Sequence, residues 1–289
     1  MRQTSAALTG ARGRQIFWQT WTPDAAPAAV VVLAHGAGEH SGRYEHVAAR
    51  LVDAGYAVYA LDHRGHGRSE GPRALIERVD LAVADLDQLV VLAVAAHPGA
   101  PVFLLGHSMG AMIALRYTAV HQDRLAGLIL SGALAALESV PPALRLIGRL
   151  LSAIAPRTPL IAIDPSLVSR DPAVVDAYRN DPLVCHGKLP ARTAAEIADT
   201  VAALPATVGV ITVPTLILYG TADRLCPPHG SVRIGERVGS ADRTIKAYEG
   251  LFHEIFNEPE RDAVLDDVCD WLSARAGARE PDAAGSSRS

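Results

Sequence analysis

The sequence predicts an α/β fold: a mostly parallel central sheet flanked by helices, with an inserted helical cap. Three observations predict it. Short apolar runs each close on Gly, Asp or His, stretches of helical spacing separate them, and the alternation stops after Gly132 and resumes near Val213. Runs that stay apolar at nearly every position are the signature of strands buried on both faces, and strands alternating with helices imply parallel pairing with helices on both sides.

The predicted strands, in order, are AVVVLAHG (Ala29 to Gly36), YAVYALD (Tyr56 to Asp62), PVFLLGH (Pro101 to His107), AGLILSG (Ala126 to Gly132) and PTLILYG (Pro214 to Gly220). Between them RYEHVAARLVDAG, VDLAVADLDQLVVLAVAAHP and AMIALRYTAVH carry helical spacing. The stretch from Gly132 to Val213 is rich in Pro, Leu and Ala and is too long for a loop. In an open α/β sheet ligands bind beyond the carboxyl ends of the strands, so an insertion placed there is a lid. The expected division is a core of residues 1–132 and 207–276, a cap of 133–206, and a small, polar tail of 277–289 that is predicted to be disordered. Within the cap, PPALRLIGRLLSAIAP (Pro141 to Pro156) is apolar on most sides, which suits either packing on the core or lying in a lipid interface.

A chain of 289 residues with 49% hydrophobic and 20% charged residues can bury a large core, and a formal net charge of −4 offers no clustered cation for a nucleic-acid backbone. Nucleic acid is therefore not an expected partner. The N-terminus lacks the apolar stretch of a secretory signal and no run reaches the ~18 residues of a membrane span, so a cytoplasmic protein is expected, with peripheral membrane contact open to it through the lid. Cys185, Cys226 and Cys269 are far apart and odd in number, as for reduced thiols. His63 and His66 sit in a Gly-rich loop without a third spaced ligand, so no metal and no cofactor is expected.

The chemistry is carried by LLGHSMGAM (Leu104 to Met112). A lone Gly-x-Ser-x-Gly is a weak signal, but here it follows a predicted strand and opens a predicted helix, the setting of a nucleophile elbow. Side chains at Gly106 and Gly110 would collide with neighbouring elements in so tight a turn, while Ser108 exposes its hydroxyl at the helix N-terminus. A serine hydroxyl is a poor nucleophile at neutral pH. It needs a base, and the base needs a third group to hold its tautomer. On this scaffold the chain order is Ser, then Asp or Glu, then His. Asp223, in the loop after PTLILYG, is the candidate acid, although TAD followed by Pro-Pro is also good turn chemistry. His253, after the strand in RTIKAYEG, is the candidate base in preference to His229, which lies only a few residues past Asp223. The backbone N–H groups of Met109 and of Ala37, after His35-Gly36, are the candidate oxyanion hole. His35 fits a loop-bracing role better than that of a second base.

Five segments, HGAGEHSGRY (His35 to Tyr44), DHRGHGRSEG (Asp62 to Gly71), GHSMG (Gly106 to Gly110), TADRLC (Thr221 to Cys226) and FHEIFNEPE (Phe252 to Glu260), resemble the monoacylglycerol lipases of the serine α/β-hydrolase superfamily, in the form taken by bacterial members. The resemblance runs over nearly the whole chain. It implies the α/β-hydrolase fold, hydrolysis of a long-chain monoacylglycerol to fatty acid and glycerol, Ser108, Asp223 and His253 as the triad, and Ala37 and Met109 as oxyanion donors. It further implies that Glu39, Arg43 and Tyr178 contact the glycerol end; on their own, Glu39 and Arg43 also suit a loop-bracing ion pair. Two departures stand out: Ala111 stands where many members have a second glycine after the elbow, and mammalian members carry a histidine near Phe256, where this chain reads HEIFNEPE. A lysophospholipase or general carboxylesterase on the same scaffold is the alternative, and a non-catalytic ligand-binding relative a more remote one. An apolar lid suits an acyl chain, each buried CH₂ contributing about 0.8 kcal/mol.

Overall fold

The computed structural model describes residues 1–136 and 142–277, and the side chains within that span other than those of residues 142–145. The predicted tail beyond Gly277, and Pro141 at the start of the predicted cap helix, lie outside the described residues.

The strands are β1 (Arg2–Thr9), β2 (Gln15–Thr22), β3 (Ala29–Ala34), β4 (Tyr56–Leu61), β5 (Val102–His107), β6 (Gly127–Ser131), β7 (Pro159–Ile161), β8 (Leu189–Pro190), β9 (Thr215–Gly220) and β10 (Arg243–Tyr248). Eight of them form one sheet in the order β1-β2-β4-β3-β5-β6-β9-β10. Pairing is antiparallel at β1/β2 and β2/β4 and parallel from β4 to β10.

Every residue of β3, β4, β5 and β6 is buried, as their unbroken apolar runs require. Alternate residues supply two cores. Val30 and Val32 join Leu86 and Leu89 of α2 (Val79–Ala96) and Met112 and Leu115 of α3 (Met109–His121) on one face. Val31 and Leu33 join Val47 and Leu51 of α1 (Glu45–Asp53) with residues of the C-terminal helix, Val264, Val268 and Leu272 (Arg261–Ala276), on the other. The chain runs from β3 to β4 on one side and then crosses over β3 to β5 on the other. The carboxyl ends of β3 and β5 thus face the crevice where the strand order reverses, which is where ligands enter such sheets.

Between β6 and β9 lie α4 (Pro142–Ile154), α5 (Pro172–Asn180) and α6 (Ala191–Val208), together with the antiparallel β7–β8 pair, which the apolar-run criterion did not predict because each strand is only two or three residues long. Helix α4 turns its small residues Gly148 and Ser152 inward and presents Leu146, Ile147, Leu150 and Ile154 to solvent. Of the remaining two helices, α7 spans Pro228–Arg237 and α8 is the C-terminal helix Arg261–Ala276.

A buried ion pair ties the loop after β4 to α2. Arg64 Nε donates to Asp85 Oδ2 at 2.8 Å and its Nη2 to Oδ1 at 2.9 Å, with the two side chains 1% and 0% exposed. Asp85 also accepts the Ala11 N–H at 2.7 Å. Removing one partner leaves the other charge buried and uncompensated, so Arg64→Met is expected to cost about 3–5 kcal/mol in urea denaturation, whereas Arg64→Met/Asp85→Leu should cost much less. Equal losses in the single and double variants would show that the pair does not act as a unit.

Candidate active site

The elbow is built by close backbone approach. A Cβ at Gly106 would stand 2.6 Å from the carbonyl oxygen of Gly110, and one at Gly110 would stand 2.1 Å from that of Ala34 on β3. Neither position accepts a side chain. Ser108 itself takes φ 55°, ψ −119°, a strained conformation for a residue with a Cβ, and sits as the residue that opens α3. Its N–H is held by Ser131 O at 2.9 Å. The Ser108 hydroxyl lies 3.8 Å from Cys226 Sγ, and among the described residues no hydrogen bond joins it to His253. Cys226, read from the sequence only as a reduced thiol, lies directly beside the serine.

His253 and Asp223 come from different strand ends. Asp223 follows β9 in the loop whose Leu225 and Cys226 N–H groups donate to its Oδ1 at 2.9 and 2.8 Å. Its other oxygen, Oδ2, accepts His253 Nδ1 at 2.8 Å, which fixes the Nδ1–H tautomer and leaves Nε2 as the basic nitrogen. Burial disfavours the His253 imidazolium, but the Asp223 carboxylate, helped by Glu254 and Glu39, outweighs it and raises the pKa above the usual imidazole value. The neighbouring ring of His107, 4.7 Å away between centroids, is held neutral by burial and by His253, with its pKa lowered to about 4.

The loop after β3 carries the second expected N–H. Among the described residues neither the Ala37 nor the Met109 N–H donates a hydrogen bond, so both donors are unengaged. His35 braces this loop: its Nδ1 bonds Gly36 O at 2.7 Å and its Nε2 accepts the His63 N–H at 2.9 Å. Burial lowers its pKa to about 4. His35, His63 and His66 cluster with ring centroids 4.5 to 6.4 Å apart, but no group of three or more His, Cys, Asp or Glu among the described residues could hold a metal ion.

Of the three residues expected at the glycerol end, Glu39 and Tyr178 line the cavity that contains Ser108 and His253, and Arg43 does not. Arg43 is inside a buried network. It donates to Glu39 Oε2 at 2.7 Å and to both oxygens of Glu254 at 2.7 Å, and its guanidinium stacks 4.7 Å above the Tyr178 ring. Glu39 also accepts the Gly36 N–H at 2.6 Å and the Tyr44 hydroxyl at 2.7 Å. Glu254 was missed by sequence reasoning, although a charged residue between His253 and the apolar Ile255-Phe256 was a readable signal. Burial opposes its ionisation, but Arg43 prevails and lowers its pKa to about 2.

The cavity encloses about 260 Å³. Its lining combines Glu39, Ser108, Arg224, His253 and Glu254 with the apolar Leu134, Ile161, Ile163, Val168, Leu189 and Ile197.

A serine at an elbow, a carboxylate-oriented histidine and two unengaged backbone donors on this sheet define a serine hydrolase of the α/β class. A family model described as "Serine aminopeptidase, S33" matches residues 25–260. A protein of Mycolicibacterium smegmatis named monoacylglycerol lipase is 45% identical over 267 residues, covering 92% of this chain and 95% of that one. A human monoglyceride lipase is 38% identical over 95% of this chain and 93% of its own. The crystal structure of a monoacylglycerol lipase from Paleococcus ferrophilus superposes with TM-score 0.80 at 32% identity, over 95% of this chain and all of that one. The chain belongs to this family of serine hydrolases, among its monoacylglycerol lipases.

Proposed function

We propose that the protein cleaves long-chain monoacylglycerols to fatty acid and glycerol through an acyl-enzyme on Ser108. The observation that carries the reading is the Asp223–His253 bond at 2.8 Å beside a cavity that Ser108 and His253 line together with Leu134, Ile161, Ile163, Val168, Leu189 and Ile197. The Ser108 hydroxyl turns from Cys226 to His253 Nε2 as substrate binds, since hydrogen bonds between catalytic groups commonly tighten only in the substrate complex. Ser108 then attacks the ester carbonyl while His253 takes its proton. The tetrahedral oxygen is met by the N–H groups of Ala37 and Met109, a donor of this kind contributing roughly 2.7–4 kcal/mol to the transition state. His253 returns the proton to the departing glycerol oxygen, and water activated by the same histidine releases the fatty acid. Asp223 stays ionised throughout and stabilises the imidazolium.

Residues 1–132 and 207–276 act as the core and 133–206 as a lid over the site. No described helix is long and apolar enough to cross a membrane. The outward face of α4, with Leu146 and Leu150 each 60% and Ile154 82% exposed, supports peripheral contact between the lid and a lipid surface, where the substrate resides.

The test compares kcat/KM for a long-chain monoacylglycerol with the matching lysophosphatidylcholine, diacylglycerol and a short-chain ester. The monoacylglycerol is expected to be the best substrate. If lysophosphatidylcholine or the short-chain ester is preferred, the chain is a lysophospholipase or a general esterase and the head-group assignment fails.

A further inference from the structure

The polar groups around the catalytic cavity are unbalanced in charge. Glu39, Asp223 and Glu254 are 3%, 4% and 5% exposed, and the one buried guanidinium set among them is Arg43. Asp223 is hydrogen-bonded to His253, which is neutral when it serves as base, and Arg43 alone bridges the other two carboxylates, Glu39 at 2.7 Å and Glu254 at 2.7 Å. Glu39 is surrounded by donors alone, from Gly36, Arg43 and Tyr44, which is the environment of a carboxylate rather than of a protonated acid. Glu254 accepts from Arg43 through both oxygens and from Asn257 Nδ2 at 2.8 Å. Glu39 and Glu254 line the cavity and Arg43 does not, so two carboxylates that share one guanidinium stand beside the substrate space. Arg224 lines the same cavity from an exposed position, where solvent and salt screen its charge.

We propose that Glu254 is a specificity-determining residue: its carboxylate, in excess of what Arg43 neutralises, makes the cavity accept esters of neutral alcohols and reject esters whose alcohol portion carries an anionic group. A glycerol hydroxyl can donate to a carboxylate oxygen; a sulfonate or a phosphate dianion has no proton to donate, and either anion meets a like charge in a site screened little by salt. The inference rests on the reading of this cavity as an ester-hydrolase site with the alcohol portion beside these carboxylates. Glu254 also acts on the base. His253 is faced by Asp223 from the loop after β9, His107 from the end of β5, Glu39 from the loop after β3, and Glu254 beside it, with Arg43 between the two glutamates. Removing the Glu254 charge takes away one of the groups that favour the imidazolium, so the acid limb of activity moves to lower pH.

Two substrate pairs, used below their micelle-forming concentrations, test this: 1-octanoylglycerol against its 3-phosphate, and p-nitrophenyl octanoate against 4-octanoyloxybenzenesulfonate. Glu254→Gln keeps an oxygen for Arg43 and removes one charge; the anionic-to-neutral ratio of kcat/KM is expected to rise at least tenfold in both pairs, the effect of one charge about 12 Å away at an effective dielectric near 20, and more for a nearer one. Glu254→Asp keeps the charge and should retain the wild-type ratio. If Glu254→Gln lowers all four substrates alike and leaves the acid limb in place, Glu254 only braces Arg43 and the proposal is overturned. Should Glu254→Gln fail to fold, the wild type decides: equal kcat/KM for octanoylglycerol and its phosphate overturns the proposal without any variant. Wild type that cleaves the aryl esters but not octanoylglycerol rejects the monoacylglycerol reading, while the aryl pair still decides the role of Glu254.

Discussion

Ser108→Ala is expected to lower kcat/KM on a monoacylglycerol by about 10⁴-fold or more with no loss of folded protein. Alanine has the same Cβ at the strained φ of 55°, so the elbow keeps its conformation and its cost. The backbone N–H groups that remain, Ala37 and Met109, are unaffected. The residual rate therefore measures what oxyanion stabilisation and binding supply without a nucleophile, a contribution that in serine hydrolases amounts to roughly 10³–10⁴ over water. Because triad residues act as a unit, Ser108→Ala/His253→Ala should be about as inactive as either single variant. A Ser108→Ala protein that retains more than about a hundredth of wild-type activity would place the nucleophile elsewhere; a further loss in the double variant would show that His253 works independently of Ser108.

The parts of the fold that were readable in the sequence are those where burial acts on both faces. β3 to β6 and β9 announce themselves because every or nearly every position must be apolar. The edges of the sheet obey no such rule. β1, RQTSAALT, is exposed along almost its whole length and only Leu8 packs on the core, so its strand character comes from pairing with β2 and leaves no apolar pattern to read. The elbow and Asp223 stood out as candidates because each sits just past the carboxyl end of a strand that an apolar run marks, whereas His253 follows the largely exposed β10, RTIKAY, and was singled out by chain order and by Gly250. The Arg43–Glu254 contact joins residues 211 apart in sequence, and nothing in local spacing reveals it. The same holds for Cys226 against Ser108. The cap helix shows the limit of composition: α4 is apolar on most sides, and only the fold reveals that Gly148 and Ser152 pack inward while its large side chains face out.

Asp223→Asn separates orientation from charge at the same atom. Asparagine is isosteric, so the loop after β9 can keep its shape, with the side-chain carbonyl still able to accept from Leu225 and Cys226. The position now occupied by Oδ2 would then hold an amide NH₂, which donates where His253 Nδ1–H also donates. His253 is driven to the other tautomer, its proton on Nε2 facing Ser108, and it can no longer act as base. The expected loss in kcat is about 10⁴-fold. The pH profile carries the second half of the argument. In wild type His253 must be neutral to accept the Ser108 proton, so kcat/KM rises with pH through its pKa, which Asp223 holds above the usual imidazole value against the opposing effect of burial. With the carboxylate gone burial prevails, and the acid limb of the residual activity is expected at lower pH than in wild type. An unshifted limb would mean that the titrating group is not His253 or that Asp223 is not its partner. A shifted limb with a loss of only tenfold or less would mean that Asp223 tunes the charge of His253 without setting its tautomer.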